Sequence, residues 1–161
     1  MTEQPKDISG RGERQALTAN EDFWGPPISV YTREQAFEDG VLVDVTPWAS
    51  SGPDGMRGGF CLPVAITRAL WTVIDIDASD GCGEPRWHGL ARRHGESTRG
   101  RAHDVLWMAA VAARRSPEAD RIGYSVLMTG EGRSGRLVRK RLTVVMVIDG
   151  DGLTIGFPED M

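Results

Sequence analysis

Residues 121–157 read RIGYSVLMTGEGRSGRLVRKRLTVVMVIDGDGLTIGF. In the first run, RIGYSVLM (residues 121–128), every second residue has a large apolar side chain. The second run, residues 137–149, alternates over most of its length. This period of two is typical of strands. The glycine-containing segments TGEGRSGR and DGDG follow the first and second runs, and such turns are typical of β-hairpins. The stretch therefore predicts an antiparallel meander. The alternating residues of the first run are Ile122, Tyr124, Val126 and Met128.

A capped helix followed by a strand is predicted upstream, in YTREQAFEDGVLVDVT, residues 31–46. Thr32 suits a helix N-cap, and Gln35 three residues later completes a capping box. Gly40 is placed for a left-handed C-terminal cap. The next residues alternate again, and Pro47 closes this strand. One face of the predicted strand carries Val41, Val43 and Val45.

Two further helices are predicted between these segments. PVAITRALWTVI, residues 63–74, carries apolar residues at helical spacing, with Pro63 in the first turn. AHDVLWMAAVAARR, residues 102–115, is rich in alanine, and we expect Trp107 on this helix to lie in the core. Residues 47–59 and 75–100 are interpreted as loops, because glycine and proline or charged residues interrupt them.

Together these elements predict an α+β fold, in which an antiparallel sheet of about four strands carries about three helices on one face. Residues 1–20 hold few large apolar side chains, and we expect them to form a disordered arm. Residues 21–161 are expected to form a single domain.

The composition is that of an ordinary soluble protein, with 40% hydrophobic and 26% charged residues among 161. No apolar run approaches the roughly 20 residues that cross a bilayer, and the polar N-terminus does not resemble a signal peptide. Two cysteines are too few for a disulfide-stapled secreted domain. We therefore expect a cytoplasmic protein with no membrane partner.

Charge is unevenly distributed along the chain. Residues 21–54 carry seven acids and one base, whereas residues 86–115 carry seven arginines and two acids. A second basic group follows in the predicted hairpin. If both groups project from the same side, they form a site for phosphates; the alternative is that they balance the acidic segments. The arginines proposed to contact a partner are Arg92, Arg93, Arg99, Arg101, Arg133 and Arg136.

Trp48 and Trp87 lie in the predicted loops. A large apolar ring in a loop either folds back onto the domain or contacts a partner. We include both tryptophans among the candidate partner-binding residues.

No catalytic signature is present: the sequence has no GxSxG elbow and no GxxxxGK[ST] phosphate loop. Asp44 interrupts an apolar strand, and Asp104 begins the apolar part of the third predicted helix. Each is a candidate catalytic acid or a partner for an arginine or for local backbone donors. The spacing of the four potential zinc ligands fits no known zinc motif, and we expect neither a metal nor a cofactor. These ligands are Cys82, His88, His94 and His103.

YTREQAFEDGVLVDVT, FCLPVAITRALW and HDVLWMAAVAARR follow one another in this order. Together they resemble a family of small uncharacterised proteins encoded on bacterial plasmids and prophages, over about Ile28 to Pro158. The resemblance implies an accessory role for mobile DNA.

Three functional hypotheses follow from that setting. The first is a non-catalytic protein that binds and inhibits a host protein or ribonucleoprotein complex, such as a CRISPR or restriction component. The second is nucleic-acid binding through the arginine-rich loops. The third is an enzyme with an unfamiliar site built from Asp44, Asp104 and an arginine.

Overall fold

Five strands form one sheet within residues 31–50, 59–77 and 86–161, which are the residues that the computed structural model describes. The order across the sheet is β1-β2-β5-β4-β3. Strands β3, β4 and β5 form the predicted antiparallel meander. The α+β prediction is thus confirmed, with one strand more than expected. The strands are β1 (Leu42–Asp44), β2 (Val64–Thr67), β3 (Arg121–Glu131), β4 (Leu137–Asp149) and β5 (Gly152–Gly156).

Strand β2 corrects the prediction of a helix beginning at Pro63. It pairs antiparallel with β1 and parallel with β5, and all four of its residues are buried. A strand buried on both faces shows no alternation in its sequence, so its short apolar run reads equally well as a helix turn. The helix begins only at Arg68, where the Thr67 hydroxyl accepts a hydrogen bond from the Leu70 amide at 3.4 Å.

The helices of the described residues are α1 (Arg33–Glu38), α2 (Thr46–Ala49), α3 (Arg68–Ile74), α4 (Arg86–Arg93), α5 (Thr98–Arg115) and a short 3₁₀ helix (Pro158–Asp160). The predicted capping box is confirmed: the Gln35 amide donates to Thr32 Oγ1 at 3.2 Å, and the Thr32 amide donates to Gln35 Oε1 at 2.9 Å. Gly40 follows α1 with the expected positive φ of 68°.

Two helices occupy segments that were predicted to be loops. Helix α2 begins at Thr46, one residue before the segment predicted to be a loop from residue 47, and α4 lies within the one from residue 75. The remainder of both segments includes residues 51–58 and 78–85, which are outside the described part of the chain. The predicted N-terminal arm, residues 1–20, is outside it as well.

The core lies between the sheet and helices α3 and α5. Leu70, Leu106 and Met146 are fully buried there. Val41, which was predicted to share one strand face with Val43 and Val45, is 50% exposed and precedes β1, which begins at Leu42. The Tyr124 hydroxyl donates to the Val105 carbonyl at 3.3 Å, and burial raises the pKa of Tyr124.

Among the described residues, no helix has both the length and the apolar character needed to cross a membrane.

Candidate functional site

The far half of the β3–β4 hairpin carries a dense group of basic side chains. Strand β5 pairs with β4 only from Val145 onward, so residues 137–144 pair with β3 alone and form a two-stranded ribbon. Because successive residues face opposite sides of a strand, Arg139 and Arg141 lie on one face of the ribbon and Lys140 on the other. We call the following exposed residues the basic hairpin: Arg133, Arg136, Arg139, Lys140 and Arg141.

Three clefts flank this hairpin. The first, of about 380 Å³, lies between the start of α5 and the ribbon. The second, of about 670 Å³, lies between the end of α4 and the hairpin, and both are lined by Glu96, Thr129 and Arg139. The third, of about 680 Å³, has Arg133 and Lys140 in its wall. Among the described residues, Arg101 is the one arginine of α4 or α5 that lines any of these three clefts, and it shares the first cleft with Arg139 of the hairpin.

Arg101 anchors the wall of the first cleft. Its side chain is buried, with only 3% of the residue exposed. Nε donates to Glu96 Oε2 at 2.9 Å, Nη1 donates to the Val73 carbonyl at 2.6 Å, and Nη2 donates to the Thr129 carbonyl. The Thr129 hydroxyl also donates to Glu96 Oε1 at 2.5 Å. Arg101 thus joins α3, α5 and the edge strand β3. The prediction that Arg101 contacts a partner is wrong, because its side chain is buried and bonded within the domain.

The other predicted arginines lie in different environments. Arg92 is half-buried and donates a hydrogen bond to the Ile76 carbonyl, so it also supports the fold. Arg93, at the end of α4, and Arg99, in the first turn of α5, are exposed. Arg133 and Arg136 are exposed on the basic hairpin.

Trp48 folds back onto the domain, as the alternative interpretation proposed. It is half-buried against the core, and its ring centroid lies 5.5 Å from that of Trp71. Trp87 belongs to α4, but its side chain is outside the described part of the structure.

Trp107 was predicted to lie in the core, and that prediction is wrong. It is 45% exposed, because α5 buries the opposite side of the helix, including Val105 and Ala109. Its ring lies 6.1 Å from that of His103 with an angle of 11° between the planes, so the two rings stack. The exposure of Trp107 could have been predicted from the apolar stripe. A residue two positions from both Val105 and Ala109 lies roughly 200° from each around the helix, on the opposite side from the stripe.

The two candidate carboxylates do not form one site. Asp44 lies on the edge strand β1, where its Oδ1 accepts a hydrogen bond from the Thr46 amide at 2.8 Å. Asp104 lies on α5 beside the opposite edge strand, β3, and its Oδ1 is 3.5 Å from His103 Nδ1. Asp44 therefore bonds local backbone, and the carboxylate pair of the enzyme hypothesis is separated by the width of the sheet.

The potential zinc ligands are also dispersed within the described residues. His88 is buried, whereas His94 and His103 are exposed, and Cys82 is outside the described ranges. No group of three or more metal-ligating side chains is found in the parts of the chain that the structure describes.

The fold and the site define a small α+β domain whose five-stranded sheet extends at one edge into a basic hairpin with clefts beside it. Residues 22–160 match the family of unknown function DUF6573, and the chain belongs to that family. Comparisons with curated proteins and with solved structures give no match.

Proposed function

We propose that this protein is a non-catalytic nucleic-acid-binding protein, and that the basic hairpin and its clefts are the binding surface. The supporting observation is the segregation of charge. Residues 86–141 hold thirteen of the nineteen basic side chains of the chain but only five of its twenty-three acids. Helices α4 and α5 and the β3–β4 hairpin, which these residues form, lie together at one edge of the sheet.

The opposite edge of the sheet is acidic. Glu34, Glu38 and Asp39 lie on or next to α1, and Asp44 lies on β1. Arg33 and Arg68 also lie at this edge, so its described residues hold four acids and two bases, whereas residues 86–141 hold an excess of eight bases (13 − 5). Such a field attracts a polyanion to the β3 edge and orients it there, although the protein as a whole is acidic.

The geometry of the basic hairpin supports contact with a phosphate backbone. Arginine forks bind phosphate oxygens with two hydrogen bonds, and four of the five basic hairpin residues are arginines. Arg139 and Arg141 lie on one face of the ribbon and Lys140 on the other. The three clefts are lined by Arg133, Arg136, Arg139 and Lys140.

The resemblance to plasmid and prophage proteins adds a biological setting to this proposal. Binding to DNA, RNA or a host ribonucleoprotein complex is one way in which an accessory protein protects mobile DNA from CRISPR or restriction systems. A second candidate, direct inhibition of a host protein, is supported by Leu127 and Val138, which are 61% and 41% exposed beside the basic residues.

The proposal is tested by measuring the affinity for labelled DNA and RNA over a series of salt concentrations. The double variant Arg139→Gln, Arg141→Gln removes two charges. It should reduce the magnitude of the slope of log affinity against log salt concentration by up to about 1.4 to 1.8, since each phosphate contact contributes about 0.7 to 0.9 to that slope. The single variants Arg139→Gln and Arg121→Gln form a matched pair that removes one charge each, because Arg121 is exposed on the same two strands but at their other end.

Absence of salt-sensitive binding at low salt would overturn the proposal. An equal loss in Arg121→Gln and in Arg139→Gln would show that the hairpin is not the surface. Recovery of one host protein from a nuclease-treated lysate, together with no binding to nucleic acid, would favour the second candidate.

A further inference from the structure

An exposed aromatic pair lies next to the first hairpin cleft. Trp107 stacks on His103, and His103 lines that cleft together with Arg139. The pair therefore continues the cleft along the surface of α5. We propose that the nucleic acid bound here is single-stranded and that one of its bases stacks on Trp107, an inference that rests on the function proposed above.

Trp107 has the features of a stacking platform. Nearly half of the residue is exposed although the rest of α5 packs its apolar side chains against the sheet. Its ring is held nearly parallel to His103, one helical turn away. Every base presents a flat aromatic face, so a base that continues this stack gains affinity independently of sequence.

Charges around the pair separate a base position from a phosphate position. Asp104 lies beside His103 in the first cleft, and its carboxylate repels phosphate. Arg139, across the same cleft, attracts phosphate. A strand that crosses the cleft therefore directs its backbone toward Arg139 and a base toward Trp107.

Helix α4 argues against a duplex as the ligand. A two-stranded ribbon reads a duplex by entering the major groove, which requires free space on both of its faces. Here Leu90 of α4 and His94, which follows α4, line the second cleft together with the hairpin residues Arg136 and Leu137. In addition, the bases of a duplex are stacked on one another and offer no face to Trp107.

The test compares four labelled oligonucleotides: a mixed-sequence DNA single strand of about 20 nucleotides, its RNA equivalent, its DNA duplex, and an abasic DNA strand of the same length. The lengths suit site sizes of about 4 to 16 nucleotides. Binding to each is measured by fluorescence anisotropy with the wild-type protein and with Trp107→Ala, Trp107→Phe and Leu62→Ala. Leu62→Ala is the matched control, since Leu62 is a large apolar residue that is 44% exposed next to β2, far from β3 in the strand order.

Trp107→Ala should weaken binding to the intact single strand by about 5- to 150-fold, which corresponds to the loss of one stacked base. Its affinity for the abasic strand should stay unchanged, and Trp107→Phe should restore part of the loss. The proposal requires this pattern in DNA or, if only RNA is bound, the same loss on the RNA strand and no loss on an abasic RNA strand of the same length. Circular dichroism spectra identical to the wild-type spectrum verify that each variant is folded.

Two results would overturn the inference while the proposed function stands: tighter binding to the duplex than to the single strand, or equal effects of Trp107→Ala on the intact and abasic strands. No salt-sensitive binding to any of the four oligonucleotides would overturn the proposed function itself.

Discussion

Replacement of Arg101 by methionine should destabilise the domain strongly. Methionine keeps most of the volume of the side chain but removes its charge and its donors. Arg101 donates to the Glu96 carboxylate and to the carbonyls of Val73 and Thr129. Each buried carbonyl left without a donor costs about 1 kcal/mol or more. Loss of the arginine partner of the Glu96 carboxylate costs less than the roughly 3–5 kcal/mol expected for a fully buried ion pair, because the Glu96 side chain is 27% exposed.

The expected loss in the free energy of unfolding is therefore about 3 kcal/mol, a large part of the roughly 5–15 kcal/mol typical of a domain. It is measured by urea denaturation followed by circular dichroism. Arg114→Met is the control, because Arg114 is exposed in the last turn of the same helix, and it should lose less than about 1 kcal/mol. A loss of under about 1 kcal/mol in Arg101→Met, or equal losses in the two variants, would refute the reasoning.

Two further predictions concern stability. Gly152 has a φ of 146°, and a Cβ there would lie 2.6 Å from the Pro63 carbonyl oxygen, so Gly152→Ala should lose about 1–3 kcal/mol in urea denaturation. Gly123→Ala, where nothing lies within 4 Å of the new Cβ, should be neutral or slightly stabilising, and equal losses at the two positions would contradict this. Burial raises the pKa of Tyr124, so above about pH 10 the unfolded state releases a proton that the folded state keeps. The free energy of unfolding should then fall by about 1.4 kcal/mol per pH unit more in the wild type than in Tyr124→Phe, and parallel pH curves up to about pH 11 would count against it.

Local patterns in the sequence were sufficient to predict much of the fold. The capping box of Thr32 and Gln35 involves residues three apart, and the alternation in β3 records one buried and one exposed face. In β4 the alternating residues Val138 and Lys140 are both exposed, so the pattern there predicted a strand but not which residues are buried. Strand β2 was not predicted because it is identified by its pairing with two other strands. One of them, β1, has only three residues, and the other, β5, lies about 90 residues further along the chain. The four residues of β2 carry no trace of that pairing.

The candidate site was predictable only in part. The concentration of basic residues in the hairpin is visible in the sequence, and the structure places Arg139 of the hairpin and Arg101 of α5 in the wall of one cleft. The sequence does not show which arginines are buried and which are exposed. Arg101 is buried, and it donates to the carbonyls of Val73 and Thr129, each 28 residues away. Trp107 was assigned to the core although it lies two positions from both Val105 and Ala109, which are on the buried side of α5.

The parallel pairing of β2 with β5 also affects how the protein is made. On the ribosome, Val64 emerges about 90 residues before Leu153, its neighbour in the sheet. Until then one side of β2 has no strand to pair with, and an open strand edge invites aggregation. A ribosome that stalls late, or a protease that clips the last strand, therefore leaves a gap in the middle of the sheet and separates β1 and β2 from the basic hairpin.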